Sequence, residues 1–414
     1  MDDIVRQTLI QLVAQQGRDV VENSRRCNAL LRDLAPGHKR EIFVLVSALE
    51  QGVVNDLLSL QGQVPAGILL AQVTAKLQAA LALTEEAARW AVESWALALG
   101  VLPSAANAMD ASALAVSIKL VSTLAEHRAE VVGLAFSPDS QRLVSAGMDG
   151  VAVLWSVADG KAQHRCDGDT GVLSCVAFSP DATLIALGGA DADIVLWQPE
   201  NGGRLWRLRG HSGDVTGVAF TPDGKTLISS SRDGTLRWWD LETRNERLHI
   251  QAHPDGVHGL ALSPNGQRLA SAGGWDRSVK IWDANSGQEL HKLSGHTSQV
   301  TSVVFGPDNA LLASGSWDET VLLWDPQRRQ QPRTLVEKGS LMALVFTVTL
   351  SPDARVCVSG SWDTLLRVWD AAQGQLLRKL GQHNAMVLST ACSADGTLLA
   401  SGDAEGKVLL WRMR

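Results

Sequence analysis

The same stretch of sequence recurs seven times along the second part of this chain. In its clearest copy, within Leu290–Asp325, Gly295-His296 leads into an apolar run ending Val304-Phe305, then Gly306-Pro307-Asp308. Leu312-Ala313-Ser314-Gly315-Ser316-Trp317-Asp318 and Val321-Leu322-Leu323-Trp324-Asp325 complete it. The tryptophans closing the copies are Trp155, Trp197, Trp239, Trp282, Trp324, Trp369 and Trp411, spaced by 42, 42, 43, 42, 45 and 42 residues. A second marker keeps step: Pro138-Asp139, Pro180-Asp181, Pro222-Asp223, Pro264-Asn265, Pro307-Asp308, Pro352-Asp353 and Ala394-Asp395. A fixed period of this length, with Gly-His and Trp-Asp at its ends, implies one small antiparallel sheet per copy and radial stacking into a β-propeller.

The unit running from Gly-His to Trp-Asp resembles the WD40 family, over roughly residues 117–414. The resemblance implies an all-β, seven-bladed propeller preceded by a small all-α bundle. The divisions expected are 1–102 for the helical bundle, 103–115 for a linker and 116–414 for the propeller. The linker reading rests on Pro103 and a run of small residues. Each repeat supplies three inner strands and an outer fourth. The last repeat runs out of chain after Trp411, and a spare strand stands at 117–124. That strand is expected to complete the last blade, which removes an exposed edge of unpaired backbone groups. This exchange is the usual lock in the family, and it tethers the helical module at the seam between blades 7 and 1.

The family pattern also joins four side chains in each blade. Blade 1 has His127, Ser145, Asp149 and Trp155; blade 3 has His211, Ser229, Asp233 and Trp239. Blade 4 has His253, Ser271, Asp276 and Trp282, with one extra residue before the Asp; blade 5 has His296, Ser314, Asp318 and Trp324. Blade 7 keeps His383, Ser401 and Trp411, with Glu405 where Asp is expected. Blade 2 has Asp169 and Leu187 at the His and Ser positions; blade 6 keeps Ser359, Asp363 and Trp369 but has Lys338 for His. Asp–His–Ser is also the composition of a hydrolase triad. A triad occurs once, beside an oxyanion hole. Recurrence at structural spacing, each time ending on an indole N–H that needs an acceptor, reads instead as a network that stiffens blades. Blades 2 and 6 are then expected to be the soft sectors. Blade 6 also carries three extra residues within Gly339–Leu350. They fit a bulged inner strand or an apolar loop on the top face, and the bulge is the reading taken.

In the family, the residue before the network Asp points onto the face that binds partners. Here the seven are Met148, Ala190, Arg232, Trp275, Trp317, Trp362 and Ala404. Positions at the start of the innermost strand point the same way: Val132, Leu173, Thr216, His258, Thr301 and Leu388, with Glu130, Asp214, Gln299 and Met386 two residues earlier. Tryptophan in three successive blades either packs between blades or forms an aromatic arc facing Met148, Met386 and Leu388 across the channel. Exposed aromatics near one arginine suit a protein or peptide partner. The expected binding set is Trp275, Trp317, Trp362, Arg232, Met148, His258, Met386 and Leu388.

Residues 1–102 lack the repeat and read as about five helices. Val5, Leu9, Leu12 and Val13 share a face of the first, which starts after Asp2-Asp3 and ends at Gly17. The second covers Ser24–Leu34, and the third holds Ile42-Phe43-Val44-Leu45-Val46, apolar almost all round and therefore expected to be buried. Pro65 opens a fourth, through Leu69, Val73, Leu77 and Leu81, and Thr84 caps a fifth with Ala88, Val92, Trp95 and Leu99 inward and Glu85, Arg89 and Glu93 in water. Arg25-Arg26 and Lys39-Arg40 are basic doublets that read as a solvated face, with a phosphate site second. The module resembles small helical adaptor domains that bacteria place before repeat domains, and partner binding or self-association is its expected role.

Composition bounds the rest. The net charge of −7, from 37 basic and 44 acidic residues, argues against a general grip on nucleic acid or an anionic membrane. No secretory signal or apolar run of about 18 residues is visible. Five scattered cysteines, none in a CxxC pair, suit buried thiols in a reducing cytoplasm. No phosphate loop, HExxH motif or zinc spacing occurs, and His253 and His258 flank a turn without a further ligand. No cofactor or metal is expected. The leading expectation is a non-enzymatic scaffold, with a channel-binding sensor and a loop-borne enzyme as alternatives.

Overall fold

The computed structural model describes residues 5, 8–9, 12–13, 20, 23–60, 66–81, 83–99, 117–167, 171–326, 331–337 and 342–413. The chain falls into two compact units, Met1–Ala113 and Leu114–Arg414.

Five helices with defined bounds precede the propeller: α1 (Ser24–Leu34), α2 (Lys39–Glu50), α3 (Val53–Leu60), α4 (Ala66–Leu81) and α5 (Glu85–Ala98). Asn23 caps α1 by accepting from the Arg26 N–H at 3.0 Å, and Thr84 Oγ1 accepts from the Ala87 N–H at 3.3 Å. One core gathers Leu31, Leu45, Leu57, Leu77 and Trp95, whose indole N–H donates to the Leu45 carbonyl at 2.9 Å. Val5, Leu9 and Leu12 are buried in the same core; Gly17, Pro65 and most of the helix expected after Asp3 lie outside the described residues. Two expectations are corrected. A helix at Val53–Leu60 was not anticipated, because Gly52 (φ 80°) permits a turn immediately before it. The third apolar run is not buried all round. Ile42, Val44, Leu45 and Val46 face the core, whereas Phe43 is 65% exposed. The helix is amphipathic, and Phe43 falls on its wet face.

The second unit contains seven four-stranded antiparallel sheets. Six are built from consecutive strands. The seventh joins Ile118–Leu124 to Val408–Met413, Leu398–Asp403 and Val387–Cys392, with Ile118 opposite Met413 and Leu124 opposite Val408. The start of the ring is thereby hydrogen-bonded to its end.

Packing between blades explains the small residues in the repeat. A Cβ on Gly188, Gly315, Gly360 or Gly402 would meet a valine methyl of the following blade at 2.6–2.7 Å (Val215, Val345, Val387 and Val131). An added methyl there would force overpacking, at a cost of ~1–3 kcal/mol. Four of the seven seams are thus a valine seated on a glycine, and seven apolar clusters lie along the ring.

The innermost strand of every blade has a register shift after its first residue, including Val345/Thr347 in blade 6. The three extra residues of blade 6 therefore do not make a bulge peculiar to that blade. The Trp362 N–H donates to the Leu344 carbonyl as the Trp317 N–H does to Gln299. The insertion consequently lies before Leu344, in the loop entering the blade, where Met342 is 59% exposed.

Candidate functional site

In five blades the four-residue network is assembled. The indole N–H of Trp155, Trp239, Trp282, Trp324 and Trp411 donates to the hydroxyl of Ser145, Ser229, Ser271, Ser314 and Ser401, at 2.8 Å each time. Those oxygens lie 2.7–2.8 Å from Nε2 of His127, His211, His253, His296 and His383. Nδ1 lies 2.6–3.1 Å from an aspartate. An ionised carboxylate can only accept, so the imidazole proton belongs on Nδ1, and in the neutral ring Nε2 is left to accept the serine proton.

In blade 7 that aspartate is Asp403, not the position of Glu405. Asp403 is fully buried 2.7 Å from His383 Nδ1, while Glu405 turns outward to Lys407. Asp403 ends the second inner strand instead of standing in the turn, so it reaches His383 from two residues earlier. Spacing alone pointed to the wrong carboxylate.

In blades 1 and 3 the electrostatics favour a neutral imidazole over a carboxylate. Burial pushes the His127 and His211 imidazoles down and outweighs the neighbouring aspartates. Burial pushes Asp276 and Asp318 up, but hydrogen bonds from His253 and Ser278, and from His296 and Thr320, prevail and hold them down at about 2. No serine here is both exposed and beside an oxyanion hole. Ser145, Ser229, Ser271, Ser314 and Ser401 are all fully buried, so a substrate carbonyl cannot reach them.

Blades 2 and 6 differ from the others and from each other. In blade 6 the Trp369 N–H donates to Ser359 at 3.0 Å, and Arg367, 3% exposed, replaces the histidine as partner of Asp363. Arg367 also donates to Ser361 Oγ at 2.7 Å and Glu337 at 2.8 Å, and Glu337 takes Lys379 as well. The expected gap is therefore filled by an ionic cluster, a substitution hidden from a search for histidine; Lys338 lies outside the described residues. In blade 2 Leu187 fills the serine position, and the buried Trp197 N–H has no partner among the described residues. Asp169 lies outside the described residues.

Above these networks the top-face residues separate. Arg232 stands 3.7 Å from Asp214, and Met148 is 41% exposed; Met386 and Leu388 are half-buried, and Ala190 and Ala404 add little surface. Glu130, Asp214, Gln299 and Met386 act through backbone, their carbonyls accepting the N–H of Met148, Arg232, Trp317 and Ala404. Trp275, Trp317 and Trp362 are 67%, 37% and 42% exposed. Trp317 and Trp362 occupy equivalent backbone positions, but Trp275 does not. Its equivalent is Gly274, whose N–H donates to the Gly256 carbonyl. Trp275 is the extra residue of blade 4 and consequently projects furthest into solvent. His258 packs against Gly274, where a Cβ would meet its Nε2 at 2.6 Å, and burial pushes its imidazole down.

Two positions were misassigned from sequence. Leu173 is fully buried, and Ser174 points into the channel in its place, one residue along the strand. Phe346, displaced from the repeat by the blade 6 insertion, was missed. Its ring lies 6.1 Å from Trp317 edge-on and 6.1 Å from Trp362 in a stacked arrangement. Trp317, Phe346 and Trp362 thus form one aromatic ridge; its packing and its exposure coexist.

The innermost strands surround a channel of about 430 Å³. Three of its hydroxyls are already engaged across the seams: Thr216 donates to Val257 O at 2.7 Å, Thr301 to Val345 O at 2.8 Å and Ser389 to Val131 O at 2.9 Å. Among the described residues no group of three His, Cys, Asp or Glu is placed to hold a metal ion, and no single helix is long and apolar enough to cross a membrane. Burial pushes the thiols of Cys175, Cys357 and Cys392 up to about 12, too high for nucleophiles at neutral pH.

A family model described as "WD domain, G-beta repeat" matches residues 118–156, 160–198, 202–240, 245–283, 287–325, 333–370 and 374–412. Seven matches spanning more than half the chain equal the blades in number, each offset from its blade by one strand, and this protein belongs to the WD40-repeat family.

Proposed function

We propose that this protein is a non-enzymatic scaffold that docks a protein or peptide partner on the top of blades 4–6, with its helical unit serving a second interaction. WD40 propellers are generally interaction scaffolds that bind protein partners. The observation carrying the finer reading is the ridge of Trp317, Phe346 and Trp362, with Trp275 exposed in the preceding blade. Large rings left in water at the rim of a rigid ring are suited to become hot spots for an apolar anchor, and Arg232 and His258 add polar groups nearby. The channel offers less to a small signal molecule, since several of its hydroxyls bond the wall itself. Five thiols without a disulfide fit a reducing, cytoplasmic setting. In the test, peptides from a displayed random library are selected on the full-length protein. Binding should then fall at least ~30-fold in a Trp275/Trp317/Trp362 triple alanine variant that still melts cooperatively. Selected peptides that bind this variant unchanged would refute the site.

A further inference from the structure

The helical unit has a surface that the propeller does not account for. Arg32 stands in the last turn of α1, and Lys39 and Arg40 open α2. Arg32 and Lys39 share the lining of a cavity of about 340 Å³ with Ala35–Gly37 and Ile42, the size of one bulky side chain with room to spare. Leu34 beside it is 60% exposed and Phe43 65% exposed. Phe43 follows Lys39 by four residues and Arg40 by three, so the helical repeat places these three on one face. Glu41, two residues from both Lys39 and Phe43, falls on the other side of the helix. Asp33 is the other carboxylate in this stretch. Neither it nor Glu41 ion-pairs with Arg32, Lys39 or Arg40, which have no carboxylate within 4 Å among the described residues.

Two features make this face poor as mere solvated surface. Lys39 and Arg40 in the first turn of α2 oppose the helix dipole; Glu41 in the same turn offsets one of these two charges, and the N-cap, His38, makes no side-chain capping bond. Phe43, on the helix face of Lys39 and Arg40, is also left in water, as is Leu34 at the end of α1. Both costs vanish when something acidic and partly apolar covers the face.

We propose that this corner of the helical unit docks an acidic peptide segment of a partner protein. Its carboxylates would meet Arg32, Lys39 and Arg40, and an apolar side chain would pack on Leu34 and Phe43 beside the cavity. A peptide is favoured over an anionic membrane because three cations and a cavity of side-chain size suit a single chain. Membrane adhesion draws on clusters of about 4–8 basic residues. The proposal rests on the helical unit alone and stands or falls independently of the aromatic ridge.

The test uses full-length protein with Trp275, Trp317 and Trp362 already replaced by alanine, so that propeller binders do not contribute. Random 16-residue peptides displayed on phage are selected on this protein. The expected winners are rich in Asp and Glu around Leu, Ile or Phe. Their affinity should fall roughly tenfold or more on adding R32E/K39E/R40E, and weaken with salt. Phe43→Ser should weaken them independently, whereas Lys39→Arg should not. Circular dichroism and melting would verify that each variant is folded. Winners without acidic enrichment, or winners bound equally well by the charge-reversed protein, would overturn the proposal. So would charge-dependent binding to phosphatidylserine vesicles with no peptide selected, which would make the face a membrane surface.

Discussion

Asp318 and Trp317 are neighbours in the chain and opposites in role. Asp318 is largely buried and accepts from His296, Thr297, Thr320 and its own turn; the same arrangement is repeated, with variations, around the ring. Trp317 donates its backbone to Gln299 like its counterparts, yet its ring lies at the surface against Phe346 and is matched only in blade 6. The comparison teaches how to divide a repeat protein. What recurs with every polar atom satisfied holds the ring together. What departs from the repeat while staying exposed is available for recognition. Blades 2 and 6 refine the first half of this rule: blade 6 rebuilds its network with Arg367, whereas blade 2 abandons the serine and leaves the Trp197 N–H unpartnered among the described residues.

The sharpest break of the architectural side is Asp403→Ala. It strands buried His383 at the blade where the first strand of the propeller pairs with the last, and should cost about 3 kcal/mol by denaturant unfolding. Glu405→Ala should cost almost nothing, because Glu405 faces Lys407 in solvent. Equal effects would return the role to Glu405.

Arg367→Met should follow at about 2 kcal/mol, since it leaves Asp363 and Glu337 facing each other across an apolar side chain. Arg367→Lys should recover little, because a single ammonium cannot serve both carboxylates and Ser361 in the geometry of the guanidinium. Blade 2 gives a smaller and less intuitive effect. Leu187→Ser hands Trp197 an acceptor yet should still destabilise by about 1 kcal/mol, because apolar burial is lost and the sequence has Asp169 instead of histidine at that position of the repeat. The reverse change, Ser229→Leu, strands both His211 and Trp239 and should cost roughly twice as much. If Leu187→Ser stabilises, the missing acceptor was the dominant defect of blade 2.

Acid should separate the blades further. His127 and His211 have imidazoles lowered by burial, so the neutral form is favoured in the folded state. Their contribution is complete above the ordinary histidine pKa and is lost as pH falls through the lower folded value. Asp276 and Asp318, held at about 2, add stability above the ordinary aspartate pKa that is lost as pH falls towards 2. Blade 6 has arginine in place of histidine and should show no step at the higher range. Hydrogen exchange, corrected for intrinsic rates, should therefore show blades 1 and 3 loosening at a higher pH than blade 6. Uniform loosening would mean that the ring opens as one unit and that the networks do not set local stability.

Much of this was legible in the sequence because a 42-residue period constrains more than any single motif. Seven tryptophans in step place seven sheets, and the spare strand at 117–124 was expected to close the last of them, as it does. The errors cluster where the period breaks. One extra residue put Trp275 beyond its equivalent position, and three extra residues hid Phe346; Leu173 was instead a one-residue slip in a blade of regular length, where Ser174 stands 42 residues from both Val132 and Thr216. The arginine of blade 6 was invisible because chemistry was conserved while residue type was not. Asp403 was overlooked because a carboxylate can reach the same imidazole from a strand end or from a turn. In the helical unit, an unbroken apolar run concealed the exposure of Phe43, since periodicity cannot show which residue of such a run the bundle leaves uncovered.

The most direct test of the scaffold reading pairs binding with stability on Trp317→Ala in the full-length protein, using a peptide selected on the wild type. Trp317 makes one aromatic contact and is partly open, so its loss should lower Tm by only ~3 °C while affinity falls at least ~30-fold. Unchanged affinity, or a fall in affinity accompanied by a loss of stability as large as that of Asp318→Ala, would contradict the account and return Trp317 to the framework of the ring.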